Sequence, residues 1–191
     1  MILKFLTVAS SVLVLSACAT LDQGFDALNK GLAVSGQILG GTATTTPQTG
    51  SGGALVANIS PQQLATIQKN IQSSGGNAQM QRAVSEASPN IVGILRNLSC
   101  ASGSSWVSNH VGRYAASSQV GGFVSIPMNK IESHRPTECL TVQRINEWAL
   151  SSENTLSFRV MFISDQNDQT AGAFFQMAKQ QNGEWLLIYT Y

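Results

Sequence analysis

The sequence carries little charge. Lys, Arg, Asp and Glu together make up 11% of the 191 residues, and the formal net charge is +1, whereas about 25% charged residues is typical of soluble proteins. This composition excludes a basic footprint for nucleic acid. It also excludes the polybasic patch by which some proteins bind anionic lipids. The sequence therefore predicts no nucleic-acid partner, and any attachment to a membrane must have another origin.

The sequence also lacks the common motifs of enzymes. It has no glycine-rich phosphate loop, no dinucleotide fingerprint, no H-E-x-x-H pair and no G-x-S-x-G turn. Its two histidines, His110 and His134, leave open a triad with Ser104 or Ser105 and an acid, because such partners meet in space rather than in sequence. We nevertheless predict a protein that is not an enzyme, with no catalytic residue and no cofactor.

A metal site is not predicted either. The acidic segment Asp165-Gln-Asn-Asp168 offers oxygen atoms, but it lacks the glycine and the later bidentate glutamate of a calcium-binding loop. Its composition is that of a turn between two strands.

No apolar run is long enough to cross a bilayer. The apolar run at the amino terminus covers residues 5–15, directly after Lys4, whereas a membrane-spanning helix needs roughly 20 apolar residues. A short positive segment followed by such a run is typical of an export signal. The amino terminus is therefore predicted to be a signal peptide.

The residues that follow, Leu15-Ser16-Ala17-Cys18, resemble the lipobox of bacterial lipoproteins. The resemblance implies that residues 1–17 are a lipoprotein signal peptide, that the Cys18 thiol carries a diacylglycerol, and that the new amino terminus is acylated. Because Ala19 rather than Asp follows, similarity to lipoprotein sorting in enteric bacteria implies an outer-membrane anchor with the protein facing the periplasm. The alternative is ordinary cleavage after Ala19, which also satisfies the small-x-small rule and would discard Cys18.

Cysteine is scarce, with three residues in the chain. Once Cys18 is set aside, Cys100 and Cys139 remain as an even pair in an oxidising compartment, which predicts a disulfide. Closing a loop of about 40 residues contributes roughly 4 kcal/mol of stability in chain-entropy estimates. Zinc is the competing use, but two distant cysteines without a C-x-x-C motif do not favour it.

The mature chain divides into three segments by composition. We predict a lipidated tether with a weak amphipathic helix over residues 18–41, a flexible linker rich in Thr and Gly over 42–55, and a periplasmic domain over 56–191. The weak helix rests on apolar residues at helical spacing: Leu21, Phe25, Leu28 and Leu32.

The domain begins with helical patterns. Ser60-Pro61 combines an N-cap with a proline at the first helical position. The polar run 73–77 ends this helix, and a second is predicted over about 78–87. Ser88-Pro89 repeats the cap and proline, so it predicts the start of a third helix.

The second half of the chain has the alternating pattern of strands. The predicted strands are 123–126, 139–148, 156–162, one around Phe174 and Phe175, and 185–191, with a hairpin at Asn182-Gly183. In the last strand, the alternation of Trp185, Leu187, Tyr189 and Tyr191 predicts one row that faces the core. The fold class is therefore α+β, with N-terminal helices packed on one face of a C-terminal antiparallel sheet of three or four strands.

The order of these elements over residues 60–191 resembles the cystatin-like and ketosteroid-isomerase-like folds, which implies a curved sheet wrapped around a helix. In such a sheet, four aromatic residues could line a concave pocket for a small apolar ligand: Trp148, Phe158, Phe174 and Trp185. The alternative is that the same aromatics pack beneath the helices.

The predicted lipid anchor and flexible linker favour a lipid-anchored, non-catalytic binding or assembly module with an envelope protein or polymer partner. A small-ligand carrier is the alternative.

Overall fold

The computed structural model describes residues 59–117, 124–135 and 137–191. The predicted signal peptide, tether and linker over residues 1–55, together with Cys18, lie outside the described residues. The described helices and strands are, in chain order, α1 Pro61–Gln72, α2 Ala78–Leu98, α3 Ser104–His110, β1 Thr141–Ser152, β2 Thr155–Ile163, β3 Thr170–Lys179 and β4 Trp185–Thr190. Two short 3-10 helices cover Gly112–Tyr114 and Pro127–Lys130.

Helix α1 begins and ends where the sequence predicts. The Ser60 hydroxyl accepts a hydrogen bond from the Gln63 amide, and the Gln63 side chain accepts one from the Ser60 amide, which satisfies two amide groups at the helix start. After the helix, Gly75 and Gly76 adopt positive φ angles of 65° and 96°, which glycine reaches without steric cost. Asn77 then caps α2 by accepting a hydrogen bond from the Met80 amide.

Helix α2 differs from the prediction because it continues through Pro89 for 21 residues instead of restarting there. Proline cannot donate to the carbonyl of Ser85, and a proline inside a helix costs about 3 kcal/mol. The cost is offset because one apolar stripe runs along both halves of the helix into the core. Its fully or almost fully buried members are Val84, Ala87, Ile91, Ile94, Leu95 and Leu98.

The four strands form one antiparallel sheet in the order β1-β2-β3-β4, which confirms the α+β class. One earlier strand prediction is wrong: residues 124–126 form no strand, and a 3-10 helix begins at Pro127. Phe123 lies outside the described residues. Helix α3 is not predicted by the sequence, since its seven residues are too few to show a period.

One face of the sheet is packed against the helices. Helices α1 and α2 contact β1, and α2 also contacts β4. Along β3 the buried residues alternate with half-buried ones, so Ala171, Ala173, Phe175 and Met177 belong to the core. We call this the inner face, and the opposite side of the sheet the outer face.

The close approach of Tyr114 to α2 depends on Gly93. A Cβ atom at Gly93 would overlap the Tyr114 ring, lying 2.5 Å from its hydroxyl oxygen. We expect Gly93→Ala to lower the free energy of unfolding by about 1 kcal/mol, because an overlap costing about 1–3 kcal/mol exceeds the gain of about 1 kcal/mol in helix propensity. Urea denaturation measures the change.

The control for this prediction is the same substitution in a Tyr114→Ala background. There the overlap is absent, so Gly93→Ala should raise the free energy of unfolding by about 1 kcal/mol through helix propensity alone. If the substitution has the same sign in both backgrounds, Tyr114 does not determine the need for glycine.

Candidate functional site

The four aromatic residues predicted to share a concave surface do not lie on one face. Phe158 pairs with Phe175 across β2 and β3, and their rings stack with centroids 5.3 Å apart. The Trp148 ring lies 4.8 Å from that of Phe158. Phe174, by contrast, pairs with Arg159 on the outer face, because adjacent residues of a strand point to opposite sides.

The inner-face aromatics are enclosed by protein. Phe158 is 0% exposed and Trp185 is 2% exposed. The Trp185 indole nitrogen donates a hydrogen bond to the Glu86 carboxylate of α2, at 3.2 Å between Nε1 and Oε2. For Phe158 and Trp185, these contacts favour the alternative in which the aromatics pack beneath the helices.

The carboxylate that holds Trp185 is itself paired. Lys179 Nζ lies 2.7 Å from Glu86 Oε2. The hydrogen bond from Lys179 lowers the pKa of Glu86, and that from Trp185 adds to the effect against the opposing influence of burial. The charged form of Glu86 therefore ties α2 to β3 and β4 at neutral pH.

Both edge strands of the sheet are partly covered. On β1, the Ile145 amide donates to the Asn70 side-chain oxygen at 3.3 Å. On β4, the Trp185 carbonyl accepts from the Asn90 side chain at 2.7 Å, and the Leu187 carbonyl accepts from the Ala116 amide at 2.9 Å. These three edge groups are therefore not available to pair with an added strand.

The outer face carries two rows of side chains that cross the strands. The first row, defined by strand register and by the backbone pairing of Phe174 with Tyr191, consists of Asn146, Arg159, Phe174 and Tyr191. The second row consists of Ala149, Ser157, Gln176 and Tyr189. In both rows the β1 and β2 members are mostly polar, and the aromatic members lie on β3 and at the end of the chain.

The aromatic end of these rows is exposed. Tyr191 is 61% exposed, Tyr189 is 46% exposed, and the neighbouring Ile188 is 37% exposed. The Phe174 and Tyr191 rings stack at 5.0 Å between centroids, and Tyr189 lies 5.7 Å from Tyr191. Contiguous exposed aromatic side chains are typical of binding surfaces rather than of ordinary protein surface.

The polar end is built on a bulge in β1. Glu147 has a positive φ of 53°, and the pairing register shifts between Asn146 and Ala149. The Glu147 carboxylate lies 3.6 Å from the Arg159 guanidinium. The Asn146 side-chain oxygen is buried and has no hydrogen-bond partner among the described residues. Bulges, positive φ angles and unpaired polar atoms are enriched at functional sites.

Tyr189 and Tyr191 are site residues that the sequence does not predict. The alternation in the last strand predicts that they share a core-facing row with Trp185 and Leu187, and this prediction is wrong. A register shift pairs Leu187 with Met177 but Tyr189 with Gln176, so both tyrosines turn to the outer face. One signal in the sequence did indicate an aromatic side chain on the outer face. Phe174 and Phe175 are neighbours in a strand, so they place one aromatic ring on each face of the sheet.

His134 is held between two elements. Its Nε2 lies 2.8 Å from the Glu138 carbonyl oxygen, and its Nδ1 lies 2.9 Å from the Ser164 hydroxyl. Because a carbonyl can only accept, Nε2 donates in the neutral ring and Nδ1 accepts from the hydroxyl. Ser164 is 0% exposed, so this pair connects the segment before β1 to the β2–β3 turn and presents no accessible nucleophile.

The other predicted candidates occupy separate places. The His110 ring stacks on that of Trp106 at 4.1 Å, and its Nδ1 lies 2.9 Å from the Trp106 carbonyl oxygen. Asp165 accepts a hydrogen bond from the Thr141 hydroxyl at 2.8 Å. Within residues 59–117, 124–135 and 137–191, no three His, Cys, Asp or Glu side chains are grouped to hold a metal ion.

The structure joins Cys100 to Cys139 by a disulfide, with Cα atoms 4.3 Å apart. Cys100 follows α2 and Cys139 precedes β1, so the bridge connects the helical layer to the sheet. In the part of the chain that the structure describes, no helix combines the length and apolar character that a membrane span requires.

Comparison of the chain with protein-family models, curated proteins and solved structures finds no match. The resemblance to cystatin-like and ketosteroid-isomerase-like folds therefore stays a prediction from element order. The lipobox resemblance likewise stays a prediction from the motif Leu15-Ser16-Ala17-Cys18.

Proposed function

We propose that this protein is a lipid-anchored component of the bacterial cell envelope that acts as a non-catalytic binding or assembly module in the periplasm. The observation that carries the proposal is the outer face of the sheet, where Tyr189 and Tyr191 are exposed beside the polar residues of the two rows. Helices cover the inner face and side-chain amides occupy positions on both edges. A partner therefore meets the sheet on its outer face.

The composition of this face supports binding. Tyrosine and arginine are enriched at the centres of protein interfaces because each offers a large apolar surface together with hydrogen-bonding groups. Phe174, Tyr189 and Tyr191 form a contiguous ring cluster, and Arg159 supplies a cation whose side chain is 50% exposed. These residues are the surface through which we propose that the module acts.

The anchoring half of the proposal rests on Cys18 in the Leu15-Ser16-Ala17-Cys18 motif. Acylation of this residue would supply several chains, each contributing about 0.8 kcal/mol per buried CH₂, which makes attachment effectively permanent. The pairing of Cys100 with Cys139 leaves Cys18 as the cysteine without a structural role in the described domain. An anchor at this position would keep the domain attached to a membrane.

Replacement of Cys18 by serine is the test of the anchor. We expect Cys18→Ser to abolish labelling by a fatty-acid analogue and to move the protein from the membrane to the soluble envelope fraction, because an oxygen does not replace the thiol as lipid acceptor. Cys100→Ala with Cys139→Ala is the matched control, which should retain the label. Unchanged processing and membrane fractionation of Cys18→Ser would refute the anchor.

The binding half is tested by photo-crosslinking in living cells. A photoreactive residue at Tyr189 should yield a discrete adduct with an envelope component, whereas the same residue at Gln62, exposed on α1, should not. The adduct should weaken in a Cys18→Ser chain, which is released from the membrane. Equal crosslinking from both positions would show that the outer face is not the binding surface.

A further inference from the structure

We propose that the outer face binds a glycan that bears carboxylate groups, the chemistry of a bacterial cell-wall polymer. Sugar rings would stack on the aromatic end of the two rows, and hydroxyl and carboxylate groups would contact the polar end. This inference rests on the proposed envelope function and names the partner of the same surface.

The shape of the surface fits an extended ligand. The first row runs across the sheet from Asn146 on β1 to Tyr191, which directly follows β4, and neighbouring strands are about 4.8 Å apart. Three such steps give a track roughly 14 Å long. An extended polymer can contact the whole track at once, whereas a small compact ligand would need a cavity.

The aromatic end matches the two-sided character of a sugar ring. A pyranose has faces of C–H groups and a rim of hydroxyl groups, and tyrosine likewise combines an apolar ring with a polar hydroxyl. Tyr189 and Tyr191 expose their rings next to Gln176, which can donate and accept hydrogen bonds at the rim. A lipid bilayer fits less well, because the Gln176 amide would lose water without gaining hydrogen-bond partners.

The polar end supplies charge complementarity. Arg144 and Arg159 carry positive charge on this part of the outer face, and Glu147 pairs with Arg159, so one positive charge is in excess. A carboxylate on the glycan complements this charge. A second copy of the chain fits less well, because two faces of the same net charge would meet.

The test is co-sedimentation of the full-length Cys18→Ser protein, which lacks the proposed acyl chains and so cannot bind a lipid surface through them, with purified murein sacculi. Chitin serves as a glycan without carboxylates, and vesicles of anionic phospholipid serve as a lipid surface. We expect retention on sacculi at low salt, weaker retention on chitin and none on vesicles. The retention should fall as salt rises, because the arginine contribution is screened.

Matched variants assign the binding to the two rows. Tyr189→Ala with Tyr191→Ala should weaken retention at least about tenfold, whereas the double phenylalanine variant should stay within about threefold, since it keeps the rings. Arg159→Gln should weaken retention about fivefold and reduce its salt dependence. Arg82→Gln removes an equal charge from the exposed side of α2 and should leave retention unchanged.

Three results would overturn the glycan proposal: no retention of the parent Cys18→Ser protein on sacculi, equal retention when the double alanine substitution is added to it, or tighter binding of this non-acylated protein to vesicles. Self-association abolished by the tyrosine substitutions would likewise assign the face to a second copy. Labelling and fractionation of Cys18→Ser report on the anchor separately, so a negative result here does not decide that part of the proposed function.

Discussion

Replacement of Cys100 and Cys139 together by alanine is expected to lower the free energy of unfolding by roughly 4 kcal/mol, because the disulfide reduces the number of conformations available to the unfolded chain. The two cysteines are separated by 39 residues, so the closed loop covers α3 and both 3-10 helices. Total stabilities of about 5–15 kcal/mol are usual for domains. The loss is therefore a large part of what holds this domain together.

Guanidinium chloride unfolding measures this loss. The double variant and the chemically reduced wild-type protein should unfold at similar denaturant concentrations, well below the oxidised wild-type protein. Cys18→Ser is the matched control, since it removes a cysteine without removing the bridge, and its midpoint should equal that of the wild type. Coincident transitions of the oxidised and reduced wild-type protein would show that the bridge contributes nothing to stability.

Truncation of Phe158 to alanine is expected to cost about 3–5 kcal/mol, because it removes a fully buried ring and leaves a cavity. The ring is stacked on Phe175 and lies 4.8 Å from Trp148, so neighbouring aromatics would have to move inward to fill the space. Close packing of the interior limits such movement. The expected result is a large fall in the denaturation midpoint.

Phe174→Ala is the matched control, since it removes the same ring from the outer face of the adjacent strand. Its half-buried ring stacks on that of Tyr191 at 5.0 Å, and losing this contact should cost no more than about 1.5 kcal/mol. Equal costs for the two substitutions would mean that the inner and outer faces have been assigned incorrectly. The same pair separates stability from binding, because Phe174→Ala removes part of the proposed aromatic surface.

Short sequence motifs were sufficient to predict the existence and the order of most helices and strands. Ser60-Pro61 marks the start of α1, the glycines of 73–77 mark its end, and Asn182-Gly183 marks the last hairpin, with Gly183 at a φ of 86°. The even cysteine pair anticipated the bridge between helices and sheet. These features depend on a few neighbouring residues or on counting, so they can be read without knowledge of long-range contacts.

Which elements merge, and which side chains face outward, was decided by tertiary contacts. From the sequence alone, Ser88-Pro89 predicts the start of a new helix. Helix α2 nevertheless continues through Pro89, because burial of one long apolar stripe offsets the cost of a proline inside a helix. The tyrosines of β4 lie on the outer face because a register shift, invisible in the alternation, turns the strand after Leu187. A single inserted residue reverses the side to which a strand's side chains point. The candidate surface therefore became visible only once the strands were paired.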